Sequence, residues 1–379
     1  MRTISRGFAV VAATALALGA AACSPPSSSS GTATSSGAVN AATATTADAF
    51  GGMDALVKAA QKEGTLNVIA LPPDWANYGA VIGAFGKKYN IKVVSAQPDA
   101  SSQAEINAAK QLKGQPTAPD VFDVSQAIAN SNTALFAPYK VATWAEVPDN
   151  LKDPAGTWAN DYGGYMSVGY DAKAVPAVTS LADLMKPAFK GKVALNGDPT
   201  AAGAAFAGVM MASLANGGSA DNIAPGVDYF VKLKKAGNFL PVDPDPATIE
   251  QGQTPVVLDW DYLNVAQAKK LAGKRDWKTV VPAGAVYGGY YVQAINKGAP
   301  HPAAARLWQE FLYSDAGQNL WLAGGARPVR ADAMVKAGTI DATAYSALPK
   351  AEGTPVILTQ AQQTAAASYL AANWAKQMG

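Results

Sequence analysis

The sequence contains little of the chemistry on which most enzymes depend, because it has one cysteine and one histidine among 379 residues. A single residue of each type cannot form a disulfide framework, a zinc site of cysteine and histidine ligands, or a cysteine–histidine dyad. Charged residues make up only 15% of the chain. Without Arg2 and Arg6 at the N-terminus, the 30 basic residues fall to 28 and equal the 28 acidic ones. This neutral balance argues against a nucleic-acid partner, which requires a strong basic field.

The N-terminus has the features of a secretory leader. Residues 1–22 have a basic start, an apolar run and the small residues Ala20-Ala21-Ala22, followed by the only cysteine, Cys23. The apolar run of about 16 residues is shorter than the roughly 20 that a membrane-spanning helix needs. The arrangement resembles a bacterial lipoprotein signal, with Ala20 where that signal usually has leucine, and implies that Cys23 becomes the lipidated first residue. A plain signal peptide with an incidental cysteine is the alternative.

Residues 23–48 consist mainly of serine, threonine, alanine, glycine and proline, with no charge before Asp48. Such a segment cannot bury enough apolar surface to offset the entropy of ordering it, so it predicts a flexible tether. Anchor and tether together predict an extracytoplasmic protein, held by lipid at the outer face of the cytoplasmic membrane.

The composition of the remaining chain predicts a folded body. Hydrophobic residues make up 49% of the sequence, which is enough for one large or two medium domains and excludes a disordered chain. Short apolar strands alternate with amphipathic helices over residues 53–124 and again over residues 192–295. We predict the α/β class, with parallel strands covered by helices. The body of about 330 residues exceeds the usual size of one core and predicts two lobes.

Two segments carry a resemblance to a known family. Residues 178–192 read VTSLADLMKPAFKGK, and residues 301–318 read HPAAARLWQEFLYSDAGQ and are followed by Pro328-Val329. Both are similar to segments of the bacterial extracellular solute-binding proteins of ABC importers, most closely to the group of polyamine, ferric-iron, thiamine and aminophosphonate receptors. The resemblance extends over nearly all of residues 53–335.

The resemblance implies a two-lobe clamshell of the type II periplasmic-binding-protein kind, each lobe a mostly parallel sheet flanked by helices. Lobe one would comprise residues 49–177 and 288–327, and lobe two residues 178–287 and 328–379. Both lobes contact the solute, so the ligand stabilises the closed form. We expect a monomeric, non-enzymatic receptor without a cofactor, and no metal ligands among the candidate residues. Its partners would be a small-molecule solute and the permease and ATPase subunits of the importer.

Ligand contacts are expected beyond the carboxyl ends of strands, because ligands of open α/β sheets bind there. Trp75 and Tyr78 follow the first strand and match a Trp-x-x-Tyr pattern of the polyamine receptors, whose aromatic faces attract an ammonium group. Ser125 follows a strand at residues 121–124 and lies where family members place a hydroxyl in the cleft. Ordinary packing of the aromatic pair and N-capping by Ser125 are the structural alternatives.

Two further strand ends belong to lobe two. Asp198 matches one of two carboxylates of the polyamine receptors, while Ala201 stands at the second position. Asp198 and Thr200 belong to a turn of small residues whose following helix has an uncapped N-terminus, which suits an anion; a turn without ligand contact is the alternative. Trp260 matches a tryptophan of the polyamine receptors, and with Asp261 it is suited to holding an ammonium group.

The acidic residues around Trp260 leave one question open. Strand alternation would point Asp259 and Asp261 to the same side and Trp260 to the other, so the sequence does not fix which aspartate faces the cleft. Ferric-iron receptors carry two adjacent tyrosines here, and Tyr262 is only one of that pair, which disfavours iron.

Tyrosines mark the predicted hinge. Tyr165 lies on the outgoing crossing between the lobes, and Tyr287 and Tyr290 lie on the returning one, where the polyamine receptors have an acidic residue. Tyrosine hydroxyls can bond to either charge of a ligand. His301, which precedes Pro302 at a helix start, is expected at the surface.

These residues favour an importer receptor for a small amine-bearing solute, either a polyamine or a zwitterion such as an aminoalkylphosphonate. Receptors for ferric iron, thiamine or a sugar phosphate are the alternatives within the fold. A secreted hydrolase using Asp259 and Asp261 is disfavoured. Side chains two residues apart on one strand lie about 7 Å apart on the same side of it, whereas the two carboxylates of a glycosidase lie on either side of the scissile bond. An adhesive role gives no reason for a cleft.

Overall fold

A computed structural model describes residues 40–379 of the protein. The predicted leader over residues 1–22, the predicted lipidation site Cys23 and the tether up to residue 39 lie outside the described residues. Among the helices of the described part, none combines the length and the apolar composition needed to cross a membrane.

The strands are numbered in chain order, and the longest of them, β5, has 14 residues. Their bounds are β1 (Thr65–Ile69), β2 (Lys92–Ala96), β3 (Val121–Ser125), β4 (Phe136–Ala137), β5 (Trp158–Asp171), β6 (Val193–Leu195), β7 (Val256–Trp260), β8 (Trp277–Val280), β9 (Gly288–Asn296) and β10 (Arg327–Pro328).

Helices lie between most of these strands, as the alternating pattern predicts. Their bounds are α1 (Met53–Glu63), α2 (Tyr78–Tyr89), α3 (Ser102–Gln111), α4 (Gln126–Asn132), α5 (Gly203–Ala215), α6 (Ala224–Lys235), α7 (Pro246–Gln251), α8 (Asp261–Lys270), α9 (Pro302–Leu312), α10 (Asp315–Ala323), α11 (Ala331–Ala337), α12 (Ala342–Ser346) and α13 (Gln360–Met378). Short 3₁₀ turns cover Ala47–Phe50, Thr133–Leu135, Trp144–Glu146, Asp149–Leu151, Leu181–Met185 and Pro187–Phe189.

Local signals set several of these boundaries. The helix α1 buries Leu56 and Ala60 on one face and ends at Gly64, whose left-handed conformation glycine adopts without steric cost. Ser101 caps α3, because its hydroxyl accepts a hydrogen bond from the backbone N–H of Ala104.

The pairing of the strands gives a mixed sheet. The order in the larger sheet is β3-β9-β5-β7-β6, with β4 on β9 and with β8 and β10 on β5, while β1 and β2 form a separate parallel pair. The pair β6–β7 is also parallel, whereas β5 and β9 run antiparallel to each other and to their other neighbours. The α/β class is therefore confirmed. The sheets are mixed rather than mostly parallel, because the two strands that cross between the lobes run against their partners.

The lobes meet at the crossing strands. Residues 158–165 of β5 pair with β9, and residues 166–171 pair with β7 and β8, so β5 connects the β3–β9 part of the sheet to the β7–β8 part. The register shifts between Asn160 and Gly163, where β5 carries one residue more than β9. The predicted limits of lobe one and lobe two stay predictions, and the names are used below with those limits.

Glycines occupy the crossing at four positions: Gly163, Gly164, Gly288 and Gly289. A β-carbon on Gly164 would lie 2.5 Å from Asp261 Oδ1 and 2.7 Å from the ring of Tyr262. A β-carbon on Gly289 would lie 2.7 Å from the ring of Trp260. At Gly164 and Gly289, neighbouring side chains rather than the backbone conformation therefore exclude a larger residue, and these two glycines let the rings of Tyr262 and Trp260 lie against the crossing strands.

The start of the described chain packs on lobe one. Arg306 of α9 is buried and donates to the carbonyl of Ala44 at 2.6 Å and to that of Ala42 at 2.8 Å. Ala47 and Phe50 are also buried. Residues 40–48 are thus part of the folded body, which corrects the predicted end of the tether at residue 48. Their composition gave no sign of this, because the ordering side chain is an arginine distant in sequence.

The last helix contacts both lobes, since α13 packs against α4 and against α6. Its Trp374 ring lies 5.5 Å from that of Phe230, edge to face. Near its start, Gln363 Nε2 donates to the hydroxyl of Tyr287 at 3.2 Å. The C-terminal helix therefore reaches across the junction instead of lying on lobe two alone.

We predict that Gly164→Ala lowers the free energy of unfolding by about 1–3 kcal/mol, the usual cost of forcing a methyl group into packed surroundings. Urea denaturation followed by tryptophan fluorescence measures this change. Gly83→Ala is the matched control, because Gly83 lies in α2 with no atom within 4 Å of the added methyl group. That variant should be neutral or more stable by up to about 1 kcal/mol, and equal effects of the two would contradict the packing argument.

Candidate functional site

Five aromatic side chains from both lobes meet at the crossing, and we call them the aromatic cluster: Trp75, Tyr162, Trp260, Tyr262 and Tyr291. Trp75 lies in the loop between β1 and α2, Tyr162 on β5 and Tyr291 on β9. Trp260 ends β7 and Tyr262 lies in the first turn of α8. The cluster is therefore built from the carboxyl ends of β1 and β7 and from both crossing strands.

The rings of the aromatic cluster are packed directly on one another. Tyr162 stacks on Tyr291 with centroids 5.7 Å apart, and Trp260 stacks on Tyr262 at 6.3 Å. Trp75 meets Tyr262 edge-on at 6.3 Å and Tyr291 at 5.7 Å. Trp75, from the loop between β1 and α2, thus contacts rings from both α8 and β9.

Hydrogen bonds connect the aromatic cluster to the interior of lobe one. Trp75 Nε1 donates to the Tyr162 hydroxyl at 2.8 Å, and that hydroxyl donates to Asp123 Oδ2 at 2.9 Å. Tyr262 differs, because its buried hydroxyl has no hydrogen-bond partner. Buried polar groups are nearly always paired, so the Tyr262 hydroxyl stands out as a buried donor without a partner.

Three buried carboxyl groups lie behind Tyr162: Glu105, Asp123 and Asp161. Burial raises the pKa of Asp123 to about 7, and burial also raises the pKa of Glu105 and Asp161, each further increased by the charge of Asp123. Asp123 Oδ1 and Asp161 Oδ2 have no hydrogen-bond partner. In the described part of the chain, no ion pair involves any of the three. This wall of the site carries acidic groups without a compensating cation.

The two aspartates beside Trp260 have different partners. Asp259 Oδ2 accepts from Asn196 Nδ2 at 2.8 Å, and burial raises its pKa to about 7. Asp261 forms an ion pair with Arg327 at 2.6 Å. Strand alternation does not relate the two, because β7 ends at Trp260 and Asp261 begins α8. The paired carboxylates that a hydrolase would need are therefore directed to separate partners.

The amino end of α5 faces Ser125. A β-carbon on Gly203, the first residue of α5, would lie 2.8 Å from Ser125 Cβ and 3.1 Å from the Tyr291 hydroxyl oxygen. The preceding residue, Ala202, offers no side-chain cap, and Ser125 makes no capping bond to α4. The uncapped N–H groups of α5 and the Ser125 hydroxyl thus lie close together at the edge of the aromatic cluster.

Several predicted contact residues are in or beside the cluster. Trp75 and Trp260 belong to it, and Ser125 borders it. Tyr78 lies behind Tyr162, with its hydroxyl accepting from Gln293 Nε2 at 3.0 Å. Tyr287 lies on the outer face of Trp260, 6.4 Å between centroids.

The other predicted residues lie elsewhere. Asp198 and Thr200 are exposed and bonded to each other at 2.7 Å. Tyr165 and Tyr290 lie near Arg327, whose guanidinium is 3.9 Å from the centre of the Tyr165 ring. Asp261 belongs to the same group through its ion pair. His301 is only partly exposed, since its Nδ1 lies 2.9 Å from Asp120 Oδ2.

Sequence reasoning did not select Tyr291 or Asp123, and it considered Tyr262 only as one half of an iron-binding pair. Tyr290 and Tyr291 are adjacent on β9 and therefore point to opposite faces of the sheet, and the sequence does not say which of the two faces carries the site. Tyr162 and Tyr165 are three residues apart on β5, so the alternation of a strand already places them on opposite faces. The signal that could have found Asp123 is an acidic residue inside the apolar strand β3.

A single ion pair spans the outer rim near the cluster. Lys270 of α8 lies 2.9 Å from Asp74 of the β1–α2 loop, and both side chains are about half exposed or more, 47% and 68%. Within residues 40–379, no three His, Cys, Asp or Glu side chains are grouped as a metal site.

Comparison with known sequences identifies one family. A sequence profile described as bacterial extracellular solute-binding protein matches residues 119–350. The comparison with curated proteins finds no match.

Solved structures share the fold at low identity. The periplasmic binding protein P5PA is 19% identical, with a TM-score of 0.63 over 83% of this chain and 100% of that one. Iron-bound HitA of Pseudomonas aeruginosa is 20% identical, with a TM-score of 0.60 over 81% and 97%. AfuA of Actinobacillus pleuropneumoniae with fructose-6-phosphate is 17% identical, with a TM-score of 0.61 over 83% and 98%. These likenesses confirm the type II two-lobe fold.

We predict that Tyr262→Phe leaves the free energy of unfolding unchanged or raises it by up to about 1 kcal/mol, because it removes a buried hydroxyl without a partner. Tyr162→Phe is the matched variant in the same cluster. It should cost about 1–3 kcal/mol, since it leaves Trp75 Nε1 and Asp123 unpaired. Urea midpoints of the two variants measure the difference, and a larger loss for Tyr262→Phe would contradict the assignment of its hydroxyl.

Proposed function

The chain belongs to the family of bacterial extracellular solute-binding proteins, and we propose that it captures a small solute bearing both an ammonium and an anionic group. Membership makes it a binding protein and not an enzyme, and supports the role of solute receptor of an ABC importer outside the cytoplasm. The proposed ligand is an amine-bearing solute, in particular a zwitterion such as an aminoalkylphosphonate. The observation that carries it is the aromatic cluster in front of carboxyl groups without a cation.

The ammonium end is supported by the lobe-one wall. Aromatic faces of the cluster attract a cation by about 0.5–2 kcal/mol each when water is excluded. Behind them, Asp123, Asp161 and Glu105 lack any partner cation in the described chain. Burial raises the pKa of Asp123 to about 7, so an ammonium group entering the cluster would stabilise the ionised form of this carboxyl group.

The anionic end is supported by α5. Its first N–H groups have no side-chain cap and lie beside the Ser125 hydroxyl. A helix N-terminus favours negative charge through its free N–H groups and its dipole. A solute with one charge at each end can therefore bridge lobe one and lobe two, which is what stabilises a closed clamshell.

Ferric iron is the second candidate. Three phenols, those of Tyr162, Tyr262 and Tyr291, belong to one cluster, although the residue before Tyr262 is Asp261, which is bound to Arg327. Iron-bound HitA shares this fold. Thiamine has no specific support in the geometry, and a sugar phosphate alone would leave the carboxyl groups behind Tyr162 unpaired.

We predict measurable heat on titration of the protein with 2-aminoethylphosphonate, and weaker or no heat with putrescine or spermidine. Ferric citrate tests the second candidate in the same calorimeter. Heat from ferric citrate alone would indicate that the ligand is iron and not a zwitterion. No heat from any of the four compounds would reject both ligand classes.

The affinity for an amine should rise by about tenfold between pH 6 and pH 8, because Asp123, with a pKa of about 7, then loses its proton and attracts the ammonium group. The Asp123→Asn variant should lose that pH dependence. Asp54→Asn, which changes an exposed residue of α1, should keep it. An affinity that falls with rising pH in the wild type, relative to Asp123→Asn, would indicate an anion-binding wall instead.

We also propose that Cys23 carries the lipid anchor. The support is its place directly after three alanines at the end of an apolar run. In cells, the wild type should sediment with membranes and Cys23→Ser should not, with mass spectrometry of the N-terminal peptide showing acyl chains on Cys23. An unmodified Cys23 thiol would show that the protein has no lipid anchor and is a secreted receptor.

A further inference from the structure

Lobe two carries a surface rich in lysine, which we call the basic face. It is formed by the segment that leads into β6 and by the last turn of α6. Within the described part of the chain, Lys186 is the one member that forms an ion pair, with Asp183. Positive charge is therefore concentrated here, on a chain whose 30 basic and 28 acidic residues nearly balance. The members of the basic face are Lys186, Lys190, Lys192, Lys232 and Lys235.

Hydrogen bonds hold the two segments of the basic face side by side. The backbone N–H of Lys192 donates to the Asn238 carbonyl at 3.1 Å, and Asn238 Nδ2 donates to the carbonyl of Lys186 at 2.9 Å. Gly237, just beyond α6, lies against Lys190, whose Cε would be 3.6 Å from a β-carbon on that glycine. The five lysines therefore belong to one surface, although the two segments are distant in the chain.

The basic face offers charge to a partner and little apolar surface. Four of its lysines are exposed, and Lys192, which is partly exposed, donates from Nζ to the carbonyl of Ala174 at 3.0 Å. Of the described large apolar side chains that are exposed, none belongs to either segment. A partner would therefore be held by electrostatic attraction and not by the insertion of apolar groups.

The basic face and the candidate functional site lie at opposite ends of β6. The strand begins directly after Lys192 and is followed by Asn196, which bonds to Asp259 beside Trp260 of the aromatic cluster. A partner bound to the basic face therefore leaves the aromatic cluster uncovered.

We propose that the basic face binds electrostatically to the surface of a bilayer that contains anionic phospholipid. Each lysine close to such a surface is attracted to it, and the attraction adds up over a cluster. Lysine suits this partner, because a flexible ammonium group can follow mobile head groups, whereas the rigid fork of arginine suits one fixed carboxylate or phosphate. A stable protein interface would in addition bury a core of apolar side chains, which the basic face lacks.

The proposed lipid anchor would keep the basic face within reach of a bilayer. Residues 24–39 separate Cys23 from the start of the described chain, and sixteen fully extended residues span at most about 60 Å. Only this step rests on the proposed lipidation. The charge argument depends neither on the anchor nor on the identity of the solute.

The test is cosedimentation of the full chain with lipid vesicles, in a Cys23→Ser background that removes the proposed lipid. The vesicles consist of phosphatidylcholine alone or with about 30% phosphatidylglycerol. We expect binding to the anionic vesicles alone, at about 0.05 M salt, and release at about 0.5 M, because salt screens the attraction.

Two triple variants in the same background locate the attraction. The basic-face variant carries Lys190→Gln, Lys232→Gln and Lys235→Gln. The matched control has the same net charge and changes three exposed lysines of lobe one that form no ion pair, by the substitutions Lys58→Gln, Lys87→Gln and Lys113→Gln.

The partition constant for anionic vesicles should fall about a hundredfold in the basic-face variant and less than about threefold in the control. Thermal unfolding midpoints of the two variants should agree, which excludes unfolding as the cause of the loss. Equal losses in both variants would show attraction by net charge alone and overturn the proposal. No binding of the Cys23→Ser chain to anionic vesicles at low salt would also overturn it, and would leave an acidic protein as the partner of the basic face.

Discussion

The close approach of β5 and β9 at the crossing is the constraint on which the rest of the structure depends. Gly164 of β5 pairs with Gly289 of β9, and Gly163 and Gly288 are their neighbours along the two strands. The missing side chains leave room for the rings of Trp260 and Tyr262, which contact the strands where a methyl group would stand. The aromatic cluster exists because the strands that connect the lobes carry no side chains at this point.

The structure separates its buried acidic groups into two kinds. Asp261 is paired with Arg327 and receives two backbone N–H groups, so its charge is satisfied within the protein. Asp123 receives the Tyr162 hydroxyl, and its second oxygen has no partner. Only the second kind has unused capacity for a cation. The unpaired buried carboxyl group, that of Asp123, thus lies on the side of the proposed ligand, whereas the carboxylate of Asp261 at the crossing has all its partners within the protein.

Much of the fold follows from the sequence, and rather less of the site does. The alternating apolar segments, the stop at Gly64 and the segments at residues 178–192 and 301–318 were enough for the α/β class and the two-lobe fold. They were also enough to place Trp75 and Trp260 in the cluster. A period-two pattern separates the two faces of a strand but does not say which face carries the site, and Tyr162 and Tyr165, three residues apart on β5, lie on opposite faces.

Other site features depend on partners that are distant in the chain. Asp261 looked like a ligand contact, because nothing near it in sequence indicates that Arg327 lies beside it. The end of the tether was placed at residue 48 for the same reason, since Arg306 orders residues 42 and 44 from more than 250 positions away. The composition of a segment indicates its local preferences only. Contacts with residues that are distant in the chain depend on the tertiary structure and cannot be predicted from that composition.

The rim of the clamshell has a consequence for unloading. The Lys270–Asp74 bridge is solvated on both sides, and exposed pairs of this kind contribute about 0–1 kcal/mol and weaken as salt rises. It therefore adds little to the residence time of a captured molecule, which is set by contacts in the interior. Opening the clamshell at this edge therefore breaks only a weak pair that depends on ionic strength.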